Sequence, residues 1–257
     1  MNFKEVAIKA ALKAGKLILQ KQSKLGKITS KSEKDILTEA DIESEELILK
    51  SIQKNFQSHN IISEEKVIDK KSEHTWIIDP LDGTIFFSKG IPLYSVAIGL
   101  KHKEEMILGV VYSPVTKELF VAEKGKGAFL NDKKIQVSSI DNISKSFITI
   151  DYKPTIENMN KGIDLMKTLA TKSFFVRALA CQVLEFVYIA CGRSEGNICY
   201  STKLWDLAAA KIIVEEAGGK LTDHKGNKVD LNSPILNIVS SNNKIHSQLI
   251  ELTNKVQ

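Results

Sequence analysis

The segment Trp76-Ile77-Ile78-Asp79-Pro80-Leu81-Asp82-Gly83-Thr84 constrains this chain more than any other. Its apolar start, Thr75 to Ile78, predicts a buried strand. A carboxylate at the end of such a strand is costly unless something positive pairs with it. Pro80 cannot donate to a ladder, so the strand is expected to stop there. Asp82 follows after one residue, and Gly83-Thr84 lead into an apolar run that suits a short helix. Two carboxylates on a tight turn can grip hard cations. The N–H groups of Gly83 and Thr84 at a helix start can hold an anion. An Asp-Gly turn or a helix cap accounts for either acid alone. Packing does not account for the whole run.

Two other acids suit the same place. Glu64 ends the apolar run Asn60 to Ser63 and would lie beside Asp79 if the two strands are neighbours. Asp206 follows Trp205 at the start of a helix and could reach the site from the second half; taken alone, it reads as a helix cap. All-oxygen ligands favour Mg²⁺, with Mn²⁺ as a substitute. None of the five histidines has metal-ligand spacing, and no Cys or His nucleophile motif suggests a covalent intermediate.

The surrounding pattern fits layered α/β structure. Residues 3–22 carry Val6, Ala7, Ala10, Ala11, Ala14, Leu17 and Ile18 at helical spacing. Residues 23–37 read as a polar loop or hairpin. Thr38 predicts an N-cap, with Asp41 three residues on, for a helix reaching about Phe56. Strands are expected at 60–63, 74–78, 93–101, 106–112 and 118–122, and turns around Gly125, Gly127 and Asn131-Asp132. A polar stretch at Ser138–Ser146 reads as a hinge. Beyond it strands and helices alternate: strand 147–151, helix 156–170, strand 173–177, helix 180–191, strand 195–200 and helix 205–217. Strand 235–240 and helix 243–254 close the chain. We expect one compact unit of two halves, 1–140 with most of the ligands and 141–257 contributing Asp206 and substrate contacts.

Bulk properties narrow the class. The 257 residues suffice for a full core without disulfides or structural metal. No apolar run approaches the about 20 residues of a membrane span, and no secretory signal is evident, so a cytoplasmic protein with no membrane partner is expected. The net charge of +5 is small and the signs are interleaved. Only Arg177 and Arg193 supply guanidinium groups, which disfavours nucleic acid as the main partner. Cys181, Cys191 and Cys199 lie in apolar runs and read as reduced, buried thiols.

The chain resembles the inositol monophosphatase family, a metal-dependent, lithium-inhibited group whose superfamily includes fructose-1,6-bisphosphatases, 3′(2′),5′-bisphosphate nucleotidases and histidinol-phosphate phosphatases. The resemblance rests on Ser63-Glu64-Glu65, the 76–84 segment and Trp205-Asp206-Leu207-Ala208-Ala209-Ala210, in that order. It extends to Gly109-Val110-Val111-Tyr112-Ser113-Pro114, Gly127-Ala128-Phe129-Leu130-Asn131 and Glu216-Ala217-Gly218-Gly219.

The resemblance implies a five-layer αβαβα sandwich, with the site between the halves, and a homodimer. It implies metal ligation by Glu64, Asp79, Asp82, Asp206 and the Leu81 carbonyl. Gly83 and Thr84 would hold the phosphate, and Thr84, backed by Asp41, would position the attacking water; Glu64 also belongs to the catalytic set. Lys31 would approach the phosphate region. The implied activity is Mg²⁺-dependent hydrolysis of a small phosphate ester such as inositol monophosphate. Fructose-1,6-bisphosphate, 3′-phosphoadenosine 5′-phosphate and histidinol phosphate are the alternative substrates. Some bacterial relatives instead assist transcription and RNA processing by binding. The alcohol side departs from the inositol-specific pattern: Cys199 stands where those members carry a ring-contacting glutamate, and Gln182 where small residues are usual. With Asp82, Asp206 and Lys203, these two are the candidate substrate contacts.

Overall fold

The computed structural model describes residues 2–23, 25–32, 35–152 and 155–255, without the side chains of Lys31 and Asp35. The first elements are α1 (Phe3–Gln22), β1 (Ile28–Ser32), β2 (Asp35–Thr38), α2 (Glu39–Asn55), β3 (Asn60–Ser63), β4 (Val67–Ile68), β5 (His74–Asp82) and α3 (Thr84–Ser88). There follow β6 (Ser95–His102), β7 (Glu105–Ser113), β8 (Glu118–Glu123), β9 (Gly127–Leu130) and β10 (Lys133–Ile135). The remainder comprises β11 (Phe147–Tyr152), α4 (Ile156–Lys172), β12 (Phe175–Arg177), α5 (Gln182–Ala190), β13 (Gly196–Thr202), α6 (Leu204–Glu216), β14 (Lys220–Asp223), β15 (Leu236–Ser241) and α7 (His246–Asn254).

Two sheets organise the chain. The larger has the order β10-β9-β8-β7-β6-β5-β3-β4, and the smaller β12-β11-β13-β15-β14. Helices α1 and α2 cover one face of the large sheet, burying Ala7, Ala10, Ala14 and Ile18 with Ile48 and Ile52 against Trp76, Ile78, Ile98 and Val110. Helices α5 and α6 fill the space between the sheets, and α4 and α7 cover the outer face of the small one. The result is an αβαβα sandwich with three apolar interfaces. Helix α6 is apolar nearly all round, as a helix buried on both sides must be. Its alanines let it approach the large sheet closely. A Cβ on Gly109 of β7 would stand 2.3 Å from the Ala209 carbonyl oxygen, so only glycine fits there.

The structure corrects several expectations. Strand β5 does not stop at Ile78 but runs to Asp82 through Pro80. Its register against β6 shifts between Asp79 and Asp82, and Pro80 occupies that bulge, where no ladder donor is needed. The polar 23–37 segment contains the β1–β2 antiparallel hairpin. The turn region after β8 holds strands β9 and β10, and β14 was not anticipated. The cysteines are not uniformly buried: Cys191 is half-buried. Cys181 and Cys199 are buried but contact polar groups, Asp82 and Asn197. No helix among the described residues is long and apolar enough to cross a membrane.

Two buried histidines make the small sheet pH-sensitive. His246 lies between the Thr222 and Ser241 hydroxyls, at 2.9 and 2.8 Å. His224 meets the Cys199 carbonyl at 2.9 Å. Burial lowers both from 6.5 to about 4. The unfolded chain therefore takes up these protons first. The stability they allow is complete above about 6.5 and is lost as pH falls toward 4. The midpoint of urea unfolding should drop between about pH 7 and about pH 5, and drop less in His246→Gln. An equal drop in both proteins would exclude a contribution from His246.

Candidate active site

The carboxyl end of β5 is the centre of the site. Strands β3 and β5 are parallel neighbours with Ser63 opposite Ile78, so Glu64, just past the end of β3, comes beside Asp79 of β5. Gly83 then takes a left-handed conformation, φ 84°, and caps α3. A Cβ there would lie 2.7 Å from the Leu93 carbonyl oxygen, so the turn requires glycine twice over. From the middle layer, the first turn of α6 brings Asp206, which accepts the Lys203 N–H at 3.1 Å.

These elements enclose a cavity of about 210 Å³ lined by Glu64, Asp79, Leu81, Asp82, Gly83, Thr84, Ile85, Phe86, Ala180 and Asp206. Every expected ligand residue is in that lining, with both residues of the expected phosphate turn, Gly83 and Thr84. Asp41 stands behind Thr84. It accepts the Thr38 backbone N–H at 2.8 Å, closing the predicted cap of α2, and lies 2.9 Å from the Thr84 hydroxyl. The same hydroxyl lies 2.9 Å from the Leu81 carbonyl oxygen. Glu45 of α2 braces the corner that carries Glu64, accepting from the Ser63 hydroxyl and the Glu65 N–H and pairing with Lys66 at 3.2 Å.

Asp82 is held from the other half. Its carboxylate accepts the Val183 N–H at 2.9 Å, the Gln182 N–H at 3.2 Å and the Cys181 thiol at 2.9 Å. It therefore sits on the N-terminus of α5, where exposed N–H groups and the helix dipole favour an anion. Gln182 meets the site through this contact. Cys199 and Lys203 are not in the cavity lining: Cys199 is buried in β13, and Lys203 caps α6 through its backbone. The Lys31 side chain lies outside the described residues. Sequence reasoning missed Ala180, Ile85 and Phe86 as lining residues, and Cys181 and Val183 as partners of Asp82. Only the helix start predicted near 180 offered a signal for the latter pair.

The electrostatics are those of an acid cluster. Asp79 is pushed well above the usual carboxylate range, first by burial and then by the charges of Glu64, Asp82 and Asp206. Burial raises Asp82 to about 6 against the three hydrogen bonds that favour its charged form. Among the described residues, no lysine or arginine lines the cavity. Among the described residues, no three His, Cys, Asp or Glu side chains stand at the spacing of a preformed metal cage. The donor set nevertheless fits hard cations: oxygen-only, rich in carboxylate, and self-repelling until neutralised.

A layered α/β protein with a carboxylate cavity opening onto a phosphate-ready turn is a phosphoester hydrolase in class. The chain belongs to the inositol monophosphatase family, whose model matches residues 2–257. It is 34% identical over 257 residues to a protein of Thermotoga maritima named fructose-1,6-bisphosphatase/inositol-1-monophosphatase, covering 100% of this chain and 97% of the relative. It is 36% identical over 258 residues to the Nus factor SuhB of Pasteurella multocida, covering 98% and 94%. Among solved structures, an IMPase of Thermotoga maritima superposes with a TM-score of 0.92 at 32% identity, over 100% of this chain and 98% of that one.

The turn at Gly83 gives a direct check. Gly83→Ala should lower stability by about 1–3 kcal/mol in urea titration, because it strains φ and crowds Leu93. It should also impair phosphate binding, since the Thr84 N–H moves with the turn. Undiminished stability would mean that the turn tolerates a side chain.

Proposed function

We propose that this protein hydrolyses a small phosphate monoester with Mg²⁺, inositol monophosphate being the leading substrate. One observation carries the reading: Glu64, Asp79, Leu81, Asp82, Gly83, Thr84 and Asp206 line a single cavity. We read Glu64, Asp79, Asp82, Asp206 and the Leu81 carbonyl as the residues that would hold the cations. When bound, the cations would neutralise the phosphate and acidify a water molecule.

The chain's own groups then have distinct tasks. The N–H groups of Gly83 and Thr84 hold the phosphate at the start of α3. The Thr84 hydroxyl, 2.9 Å from Asp41, orients the attacking water, and Asp41 is the acceptor behind it. The N-terminus of α5 keeps the Asp82 carboxylate in place. Buried Phe87 of α3 packs edge-on against buried Tyr94, with ring centroids 5.5 Å apart, and supports the turn.

The likeness to a protein named Nus factor SuhB favours a second reading, a binding role in transcription. The two readings separate on turnover. Purified protein with Mg²⁺ should hydrolyse at least one of inositol-1-phosphate, fructose-1,6-bisphosphate, 3′-phosphoadenosine 5′-phosphate and histidinol phosphate. Asp79→Asn should lower kcat by about 10³-fold or more while remaining folded, as expected for loss of a group that stabilises the transition state. Full activity in that variant would sink the assignment. Comparable rates on all four esters would replace the inositol label with a promiscuous one.

A further inference from the structure

A second cavity, of about 690 Å³, opens at the carboxyl end of β13. Its walls are the first turns of α4, the loop after β14 and the start of β15. Among the described residues, none that lines it also lines the catalytic cavity, which holds about 210 Å³. Strands β11 and β13 are parallel, and the carboxyl ends of parallel strands are where open α/β sheets take their ligands.

Strand β13 is distorted at this point. Its register against β15 shifts between Cys199 and Thr202, and Ser201 has φ 65°. That left-handed conformation is costly for a residue other than glycine and persists where the surroundings impose it. Two asparagines of the wall do so. Asn237 Oδ1 accepts the Ser201 N–H at 2.9 Å, and Asn158 Nδ2 donates to the Ser201 hydroxyl at 2.8 Å.

Tyr200, the residue before, lines the same cavity. It is 3% exposed and packs edge-on against His224, with ring centroids 4.7 Å apart. Its hydroxyl has no hydrogen-bond partner among the described residues. Burial pushes the phenol up to about 12, so it stays protonated and can donate. A buried donor without an acceptor is costly, and a ligand that brings an acceptor removes that cost.

The charge left uncommitted on the lining is positive. Glu157 pairs with Lys161 at 2.8 Å. The Asp223 carboxylate accepts the N–H groups of Lys225 and Asn227, each at 2.8 Å, and Asn227 Nδ2 at 3.0 Å. The Asp230 carboxylate accepts the Asn232 N–H at 3.0 Å. Lys225 and Lys228 are exposed and form no ion pair among the described residues. The positive end of the 17-residue helix α4 adds to their field.

We propose that this cavity binds a small organic anion, whose phosphate or carboxylate group is taken by Lys225, Lys228 and the Tyr200 hydroxyl. The volume is that of a small-molecule site and exceeds what a bare ion needs. A hydrogen bond to an ionised acceptor is stronger than one between neutral groups, which suits an anion to the unpaired phenol. The site stands apart from the phosphatase reading, since it shares no described residue with the catalytic cavity and needs no cation.

The test is calorimetric titration of the full chain in EDTA, where the acid cluster of the catalytic cavity, left without cations, repels anions. The probes are citrate and glycerol 2-phosphate, with glycerol as the uncharged control. At least one of the anions should bind with a Kd at or below about 1 mM, and glycerol should not bind. Lys225→Gln combined with Lys228→Gln should weaken binding by about tenfold or more. Tyr200→Phe should weaken it by about fivefold to tenfold. In the unliganded protein Tyr200→Phe should leave the midpoint of urea unfolding at or above the native value, because the hydroxyl it removes has no partner. A lower midpoint would assign that hydroxyl to the fold and overturn the proposal. So would binding of neither anion up to about 10 mM, equal binding of glycerol, or anion affinity that survives all three substitutions.

Discussion

The grip of α5 on Asp82 is the constraint from which the rest of this site follows. Asp82 belongs to the large sheet, and the N–H groups of Gln182 and Val183 belong to the helix between the sheets. One buried carboxylate therefore ties the large sheet to α5 at the carboxylate-lined cavity. Alone, each group would be expensive: an ionised acid in the interior, and helix N–H groups without acceptors. Together they offset one another. The same contact fixes the residue that follows in space, Gln182, and through it Asp151. The β5–α3 corner and the start of α5 are thus held in one frame.

The local parts of this arrangement were legible in the sequence. The apolar run before Asp79 gave its strand, and the run before Glu64 gave a neighbour that the parallel β3–β5 register supplies. Thr38 and Asp41 read as a helix cap because the two residues that make the contact are three apart. The alanine-rich start of α6 read as a helix, and Asp206 as its first-turn acid. Each of these signals lies within a few residues of the group it predicts.

What escaped depends on contacts far apart in the chain or on exceptions to local rules. Pro80 reads as a strand terminator, yet a bulge against β6 gives its missing N–H nothing to satisfy. Strands β9 and β10 hide in a stretch rich in turn residues, because they are short and paired by a tight hairpin, with β10 at the sheet edge. Cys181 looked like an inert apolar thiol; its contact with Asp82 spans 99 positions. The order of the small sheet, with β15 antiparallel beside β13 and β14 on the edge, is set by packing against α5, α6 and α7. No periodicity records it.

This division has a consequence for how such a site can diversify. Most of the cavity lining sits on one continuous corner, β5 to α3, where a bulge, a left-handed glycine and a buried acid cluster leave little freedom. On the far side of Asp82, β11, the start of α5 and β13 are three segments that meet only through tertiary packing. A substitution at 151, 182 or 199 can change polarity or size without touching the β5 bulge or the Gly83 turn. The two regions can therefore vary independently in this fold. The 76–84 segment is informative about the first region because its contacts are local, and silent about the second because the residues there never adjoin it in sequence.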